Sequence, residues 1–217
     1  MFTRFEGTRS SVFMSKRADG SSAERTLKSG ADWVIESAAS RDGEWLVWRS
    51  YLQNGRRDIF ARRLTGDTTD RPVVTTPFDD MSPTLSPDAK WMAYASEESG
   101  RREIWVVPFP DPQGAKWQIS TDGGFEPLWS RDGREIFFVN LANQLVAVPV
   151  STTGQFAAGR SQILMSLEGY RRHLSHRSYD VTPDNKHFIM IRDGAPVAGD
   201  LVIVENWFSD LTARLDR

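Results

Sequence analysis

The sequence predicts an all-β fold, a β-propeller made of four-stranded antiparallel blades. Two repeated motifs and the composition lead to this prediction. The 217 residues include 8 Trp, 12 Phe and 4 Tyr beside 16 Gly and 11 Pro. Aromatic side chains favour strands, while Gly and Pro favour turns, so we expect many short strands rather than a few long helices.

The first repeated motif is a tight turn of the pattern Ser/Thr-x-Asp. Its copies read SRDGEW at 40–45, SPDAKW at 86–91, SRDGRE at 130–135 and TPDNKH at 182–187. An Asp side chain accepts hydrogen bonds from nearby backbone N–H groups, and Gly or Asn tolerates the positive φ that follows. Ala89 replaces this Gly in the second copy, which predicts a strained turn or another turn type. The residues assigned to the structural turns are Ser40, Asp42, Gly43, Ser86, Asp88, Ser130, Asp132, Gly133, Thr182 and Asp184.

The second repeated motif reads GRRDIF at 55–60 and GRREIW at 100–105. We interpret it as a hairpin loop followed by the start of a strand. Each unit then contains four short strands in roughly 45 residues, which is typical of a propeller blade. Trp45 and Trp91 lie at the same position of two units, which predicts packing between blades rather than a ligand cage. The predicted units are 1–30, which is incomplete, followed by 31–76, 77–121, 122–168 and 169–205.

Both ends of the chain depart from the repeat. The first unit has no Ser-x-Asp turn, and the last unit lacks a fourth strand. Residues 206–217 predict a short C-terminal helix, because Phe208, Leu211 and Leu215 recur at helical spacing. We therefore expect one partial propeller domain over residues 1–217, truncated from a larger propeller. Two arrangements stay open: a ring of about five blades sealed by the N-terminal segment, or an open arc that self-associates through blade edges.

Charge and composition exclude several classes of function. With 27 Lys and Arg against 29 Asp and Glu, the net charge is −2, so no basic surface indicates a nucleic-acid partner. The absence of cysteine excludes disulfides, thiolate zinc sites and a cysteine nucleophile. No apolar run reaches the roughly 18–20 residues of a membrane-spanning helix, and the N-terminus has no signal-peptide core. The sequence therefore predicts no membrane span in this chain.

The sequence shows no residues that we assign to catalysis, cofactor binding or metal binding. His173 and His176 are three residues apart, but the neighbouring arginines repel a cation and no third ligand is evident. No G-x-S-x-G elbow supports a Ser-His-Asp triad, and the turns explain the repeated aspartates. Because the sequence also encodes no separate catalytic domain, we predict that the chain is not an enzyme and uses no cofactor.

Candidate contact residues lie in loops between strands. The doublets Arg56-Arg57 and Arg101-Arg102 occupy equivalent hairpin loops, so they should repeat along one face of the propeller. A ring of solvated charge and an anion-binding rim are both compatible with this pattern. The predicted contact residues are Asn54, Arg56, Arg57, Arg101, Arg102 and Asn140.

These repeats resemble the TolB-like, WD-repeat-like β-propeller family. Residues 96–138, 178–191 and 204–211 resemble in particular the C-terminal propeller of bacterial membrane-bound serine/threonine protein kinases. The resemblance covers nearly the whole chain and is most specific in its central third. It implies an extracytoplasmic sensory or scaffolding propeller behind a kinase domain and a spanning helix. The chain has no kinase motif, so the resemblance implies the fold and a sensing role but not phosphoryl transfer.

The predicted function is a non-catalytic recognition module that binds a protein or a small ligand through its blade loops. The resemblance implies that this module is the sensor portion of a receptor-type kinase. One alternative is a TolB-like periplasmic scaffold, and another is a propeller fragment of a prolyl-oligopeptidase-type hydrolase. The resemblance implies an extracytoplasmic location, whereas the missing signal peptide predicts a cytoplasmic one for the chain expressed as given.

Overall fold

The structure is a computed structural model that describes residues 2–5, 11–17, 19–29, 33–51, 57–112, 114–173 and 176–192. It divides into two compact units, Met1–Ala31 with Gly194–Arg217, and Asp32–Asp193. All regular elements of the described residues are strands, which we number β1 to β18. The all-β prediction is confirmed, and the predicted helix at 206–217 lies outside the described residues. In the described part of the chain, no helix is long and apolar enough to span a membrane.

The described N-terminal residues form one three-stranded antiparallel sheet in the order β1-β2-β3. Its strands are β1 (Phe2–Phe5), β2 (Ser11–Ser15) and β3 (Arg25–Lys28). Phe13 and Met14 are buried, so β2 supplies apolar side chains to the interior of this unit.

The second unit contains four successive antiparallel sheets among its described residues. The first consists of β4 (Trp33–Ala39), β5 (Trp45–Tyr51), β6 (Arg57–Arg63) and β7 (Arg71–Val74). The second consists of β8 (Asp80–Leu85), β9 (Trp91–Ser96), β10 (Glu103–Pro108) and β11 (Trp117–Gln118). The third consists of β12 (Phe125–Trp129), β13 (Glu135–Val139) and β14 (Gln144–Ser151), with β15 (Ala157–Ala158) and β16 (Gln162–Ser166) both pairing with β14. The last pairs β17 (Tyr179–Val181) with β18 (Phe188–Met190).

Apolar side chains between neighbouring sheets form the core of this unit. One cluster joins the first and second sheets, and Trp45 lies in it with its ring 5.1 Å from that of Phe109. A second cluster joins the second and third sheets, and Trp91 packs 5.2 Å from Phe156 at its edge. A third joins the third sheet to β17 and β18, where Tyr179 is buried. Burial of these clusters holds the sheets face to face, since apolar area removed from water is the dominant stabilising term.

The Ser/Thr-x-Asp turns connect the first two strands of each sheet in the second unit and have the same hydroxyl-to-carboxylate hydrogen bond throughout. The hydroxyl donates to the Asp two residues later, at 2.6 Å in Ser86–Asp88 and 2.7 Å in Ser130–Asp132. The same bond joins Ser40 to Asp42 and Thr182 to Asp184. These hydroxyls lower the pKa of three of the carboxyl groups, Asp42, Asp132 and Asp184.

Ala89 occupies the turn position that its neighbouring copies fill with Gly or Asn. Its φ is 53°, close to the 60° of Asn185 and below the 73° of Gly43 and Gly133. The N–H of Ala89 donates to the carbonyl of Ser86 at 2.9 Å, as the N–H of Gly43 does to the carbonyl of Ser40. The second copy therefore has the same turn as the others, with a side chain in the left-handed region that glycine prefers.

We call the first strands of the four sheets, β4, β8, β12 and β17, the inner strands. β8 lies between β4 and β12, and the hydroxyl of Tyr179 in β17 donates to the carbonyl of Glu126 in β12. Three of them contain a register shift, between Val34 and Glu36, between Met81 and Thr84, and between Phe125 and Leu128. Ser82 and Glu126 adopt a φ of 55° at two of these bulges. A bulge redirects a side chain. Here the bulges lie at Ser82 and Glu126, close to the starts of β8 and β12.

Candidate functional site

A pocket of about 240 Å³ lies where the inner strands begin, beside the hairpins β9–β10 and β13–β14. We call it the hairpin-side pocket. Its lining includes side chains from β8 and β12, from the two hairpins, and from the connection between β16 and β17. The lining residues are Met81, Ser82, Ala95, Arg102, Phe125, Glu126, Asn140, Leu141, Arg172, His173 and His176.

Both arginines of the hairpin-side pocket are paired with carboxylates. Arg172 donates to Oε1 of Glu126 at 2.7 Å, and Arg102 donates to Oε1 of Glu97 at 2.7 Å. The ring of Phe125 lies beside both guanidinium groups, 5.1 Å from Cζ of Arg102 and 5.7 Å from Cζ of Arg172. Charge pairing and ring contact fix the two guanidinium groups, so this pocket has a rigid polar wall with nearly balanced charge.

The carboxylate of Glu126 also connects neighbouring sheets. Its Oε2 accepts the backbone N–H of Ser178 at 2.8 Å. Glu36 makes the equivalent contact between the first and second sheets, where its Oε2 accepts the N–H of Ser82 at 2.7 Å. Arg49 lies 3.3 Å from the same carboxylate, with both side chains buried. Each glutamate thus accepts a backbone N–H from the next sheet, at the bulge of β8 for Glu36 and just before β17 for Glu126, and each is itself paired with an arginine.

The two histidines of the pocket stack on each other. The ring centroids of His173 and His176 are 4.8 Å apart, with an angle of 21° between the planes. Partial burial lowers the pKa of His176, and the neighbouring His173 and Arg49 lower it further, while Glu36 opposes the shift. A lowered pKa favours the neutral imidazole near pH 7, in which one ring nitrogen donates and the other accepts a hydrogen bond.

No group of three His, Asp or Glu side chains suited to a metal ion occurs within the described ranges. The His173–His176 pair contacts ring to ring instead of converging on one point. What the pocket offers chemically is a set of hydrogen-bonding groups, including two imidazoles, together with the apolar ring of Phe125.

The structure distributes the six predicted contact residues over different surroundings. Arg102 and Asn140 line the hairpin-side pocket, although they belong to different sheets. Arg101 pairs with Glu103 at 2.6 Å, outside the pocket lining. Arg57 forms an ion pair with Asp79. Asn54 and Arg56 lie outside the described residues, and a contact role for any of the six stays a prediction.

Sequence reasoning missed the carboxylates of the site. Glu36 and Glu126 precede their turn serines by four residues, and the other two copies have Ser82 and Ser178 at that place. The alternation Glu, Ser, Glu, Ser was therefore visible in the sequence. Its meaning was not visible, because the bond from each glutamate reaches the next sheet, 46 or 52 residues away.

Comparison with known proteins shows the fold. No protein-family model and no curated protein sequence matches the chain. TolB from Acinetobacter baumannii is similar in structure, with a TM-score of 0.63 and 16% identity over 86% of this chain and 44% of that chain. A putative TolB from Agrobacterium tumefaciens has a TM-score of 0.60 and 16% identity over 88% of this chain and 68% of that one. The predicted β-propeller of the TolB-like kind is confirmed as the fold, and this chain spans less than half the length of the first of these structures.

The prediction that the chain is not an enzyme is wrong. It assumed that catalysis would require a separate catalytic domain. The periplasmic gluconolactonase PpgL of Pseudomonas aeruginosa is an enzyme with a similar fold, at a TM-score of 0.52 and 18% identity over 83% of this chain and 56% of that one. Side chains from several blades meet at the ends of the inner strands, so a propeller can assemble a reactive site by itself. The absence of a second domain therefore excludes no activity.

Proposed function

We propose that this propeller is a recognition module that binds a protein partner at the hairpin-side pocket. One observation carries the proposal: loops that are distant in sequence converge on one pocket. Arg102 comes from the β9–β10 hairpin, Asn140 from the β13–β14 hairpin, and His176 from the connection before β17. Loops held by a rigid scaffold are the usual places where such folds make contacts.

The size and rim of the pocket favour a protein side chain over a whole small molecule. A volume of about 240 Å³ is below the roughly 300–1,000 Å³ of common small-molecule pockets. Leu141 is 60% exposed at the rim, beside charged groups that are already paired. An apolar anchor surrounded by polar groups is the pattern of residues that dominate binding at protein interfaces. The pocket accepts one anchoring side chain, and Leu141 adds apolar contact area around it.

Site-specific photo-crosslinking tests this proposal. A benzophenone amino acid replaces Leu141 in one variant and Ile163, which is 57% exposed on β16, in the control. In cells of the source organism we expect one discrete protein adduct from position 141, which is lost when Arg172→Ala is added. Position 163 should give no such adduct. Equal labelling from both positions, or none from position 141, would show that the pocket is not the contact site.

The finer assignment is that this module senses a signal for a receptor-type serine/threonine kinase. The resemblance of residues 96–138 and 178–191 supports it. The alternative, a TolB-like periplasmic scaffold, is supported by the similarity in fold. The coding sequence upstream distinguishes the two: an in-frame kinase domain with a spanning helix supports the sensor, and a signal peptide with an α/β domain supports the scaffold. Self-association through blade edges stays a prediction, and light scattering measures it.

A further inference from the structure

A second cavity lies at the opposite end of the inner strands, where they run into the Ser/Thr-x-Asp turns. Its volume is about 450 Å³, and all four inner strands contribute to its lining. Residues at the ends of β8 and β12 face it, including Thr84 and Leu128, whereas the starts of the same strands line the hairpin-side pocket. We call it the turn-side pocket. The two pockets are therefore separate sites at the two ends of one set of strands.

Three arginines line the turn-side pocket. Arg41 and Arg131 each follow the serine of a turn, and Arg177 precedes β17. The Nη1 group of Arg41 donates to the carbonyl of Arg131 at 3.1 Å, so the two turns are brought together although 90 residues separate them. In the other two copies of the turn, Pro87 and Pro183 occupy this place.

The positive charge of this pocket is only partly balanced. Among the lining side chains that the structure describes, Asp180 is the single carboxylate, and Arg131 holds it at 3.0 Å. Within the part of the chain that the structure describes, neither Arg41 nor Arg177 forms an ion pair with a carboxylate. Three guanidinium groups and one carboxylate leave a formal charge of +2 in the lining.

Hydrogen bonds within the protein fix the position of Arg131. Its Nε and Nη2 groups donate to the carbonyl of Val181 at 3.1 and 2.8 Å, and its backbone N–H donates to Oδ1 of Asn185 at 2.6 Å. Within the described residues, its Nη1 group has no acceptor and can donate to a ligand. Arg41 and Arg177 each use one donor on a backbone carbonyl, at 3.1 and 3.5 Å, out of the five that a guanidinium has.

We propose that the turn-side pocket is a binding site for a small dianion, a phosphomonoester or a dicarboxylate. The charge of +2 matches such a ligand, and a guanidinium group binds carboxylate and phosphate oxygens through paired N–H donors. The fixed guanidinium of Arg131 orients the oxyanion, and Arg41 and Arg177, which form no ion pair among the described residues, supply further donors to it. The cavity has room for the organic part of the ligand beyond the oxyanion.

Calorimetric titration of the full chain tests the site with four probes: inorganic phosphate, glycerol 2-phosphate, succinate and acetate. We expect binding of the dianions, weaker binding of acetate, and lower affinity at higher salt. Binding of both phosphates and of succinate supports a general dianion site. Binding of the two phosphates without succinate supports a site whose ligand class is phosphate. A site that binds none of the three dianions, or binds acetate as tightly as succinate, overturns the proposal.

Matched substitutions locate the binding. Arg41→Gln and Arg177→Gln should each weaken phosphate binding about tenfold, because each removes charged hydrogen bonds to the ligand. Arg160→Gln makes the same charge change at an exposed place outside the lining and should leave the affinity unchanged. Arg41→Lys keeps the charge but loses the planar donors. Its affinity for phosphate should lie between those of Arg41→Gln and Arg160→Gln. An equal loss in Arg160→Gln and Arg41→Gln would show that general surface charge, not this pocket, binds the anion.

Discussion

The two ends of the inner strands differ in how many of their arginines are paired with carboxylates. In the hairpin-side pocket, Arg102 and Arg172 are neutralised by Glu97 and Glu126. In the turn-side pocket, Arg41 and Arg177 have no carboxylate partner within the described residues. The difference shows that the fold supplies two cavities and that single positions of the repeat decide their charge. Paired arginines shape a wall, whereas unpaired ones attract an anion.

Removing the carboxylate that balances the hairpin-side pocket should have the largest effect. Glu126→Ala removes the carboxylate that pairs with Arg172 and leaves the N–H of Ser178 without its acceptor in a mostly buried place, while Arg172 keeps only its hydrogen bond to Oδ1 of Asn143. We expect a loss of about 3 kcal/mol in the free energy of unfolding, measured by urea denaturation. Glu44→Ala breaks an ion pair of the same type with Arg63, but both partners are about half exposed. It should cost about 0.5 kcal/mol or less, and equal losses in the two variants would mean that burial of the pair does not matter.

Removing the carboxylate of the turn-side pocket should have a smaller effect, and in the direction of tighter binding. Asp180→Asn raises the formal charge of the lining from +2 to +3 and releases Arg131 from its ion pair. We expect phosphate to bind about threefold to tenfold more tightly at low ionic strength, by titration calorimetry. Asp67→Asn removes the same charge from an exposed pair with Arg71 on another turn and should leave the affinity unchanged. A weaker affinity in Asp180→Asn would contradict the charge assignment of this pocket.

The smallest expected effect concerns the histidine pair. NMR titration should show that His176 has a pKa below 6.5. His173→Ala should raise this pKa only partly, because burial is the main cause of the shift and His173 is the second. A folded-state pKa below the unfolded one means that the unfolded chain binds more protons, so stability is lost as the pH falls through about 6.5. A pKa at or above 6.5 in the folded protein would contradict this arrangement of the pocket.

Much of the fold could be predicted because its signals are local. The turns place Ser130, Asp132 and the next N–H groups within five residues, so their pattern appears directly in the sequence. The site could be predicted only in part. Arg102 and Asn140, which line the hairpin-side pocket, could be named as candidate contact residues because hairpin loops are recognisable. Glu126 was missed because its partners Arg172 and Ser178 lie 46 and 52 residues away.

The sequence alone determined the turns, the strands and the all-β class, since each depends on residues that are neighbours in the chain. Tertiary structure decided what the ends of the inner strands can do. At one end, the bulges of β8 and β12 turn Ser82 and Glu126 towards other sheets. At the other end, packing brings the guanidinium of Arg41 against the backbone carbonyl of Arg131, 90 residues away. Charge pairing over such separations depends on distance in space, which a linear pattern does not specify.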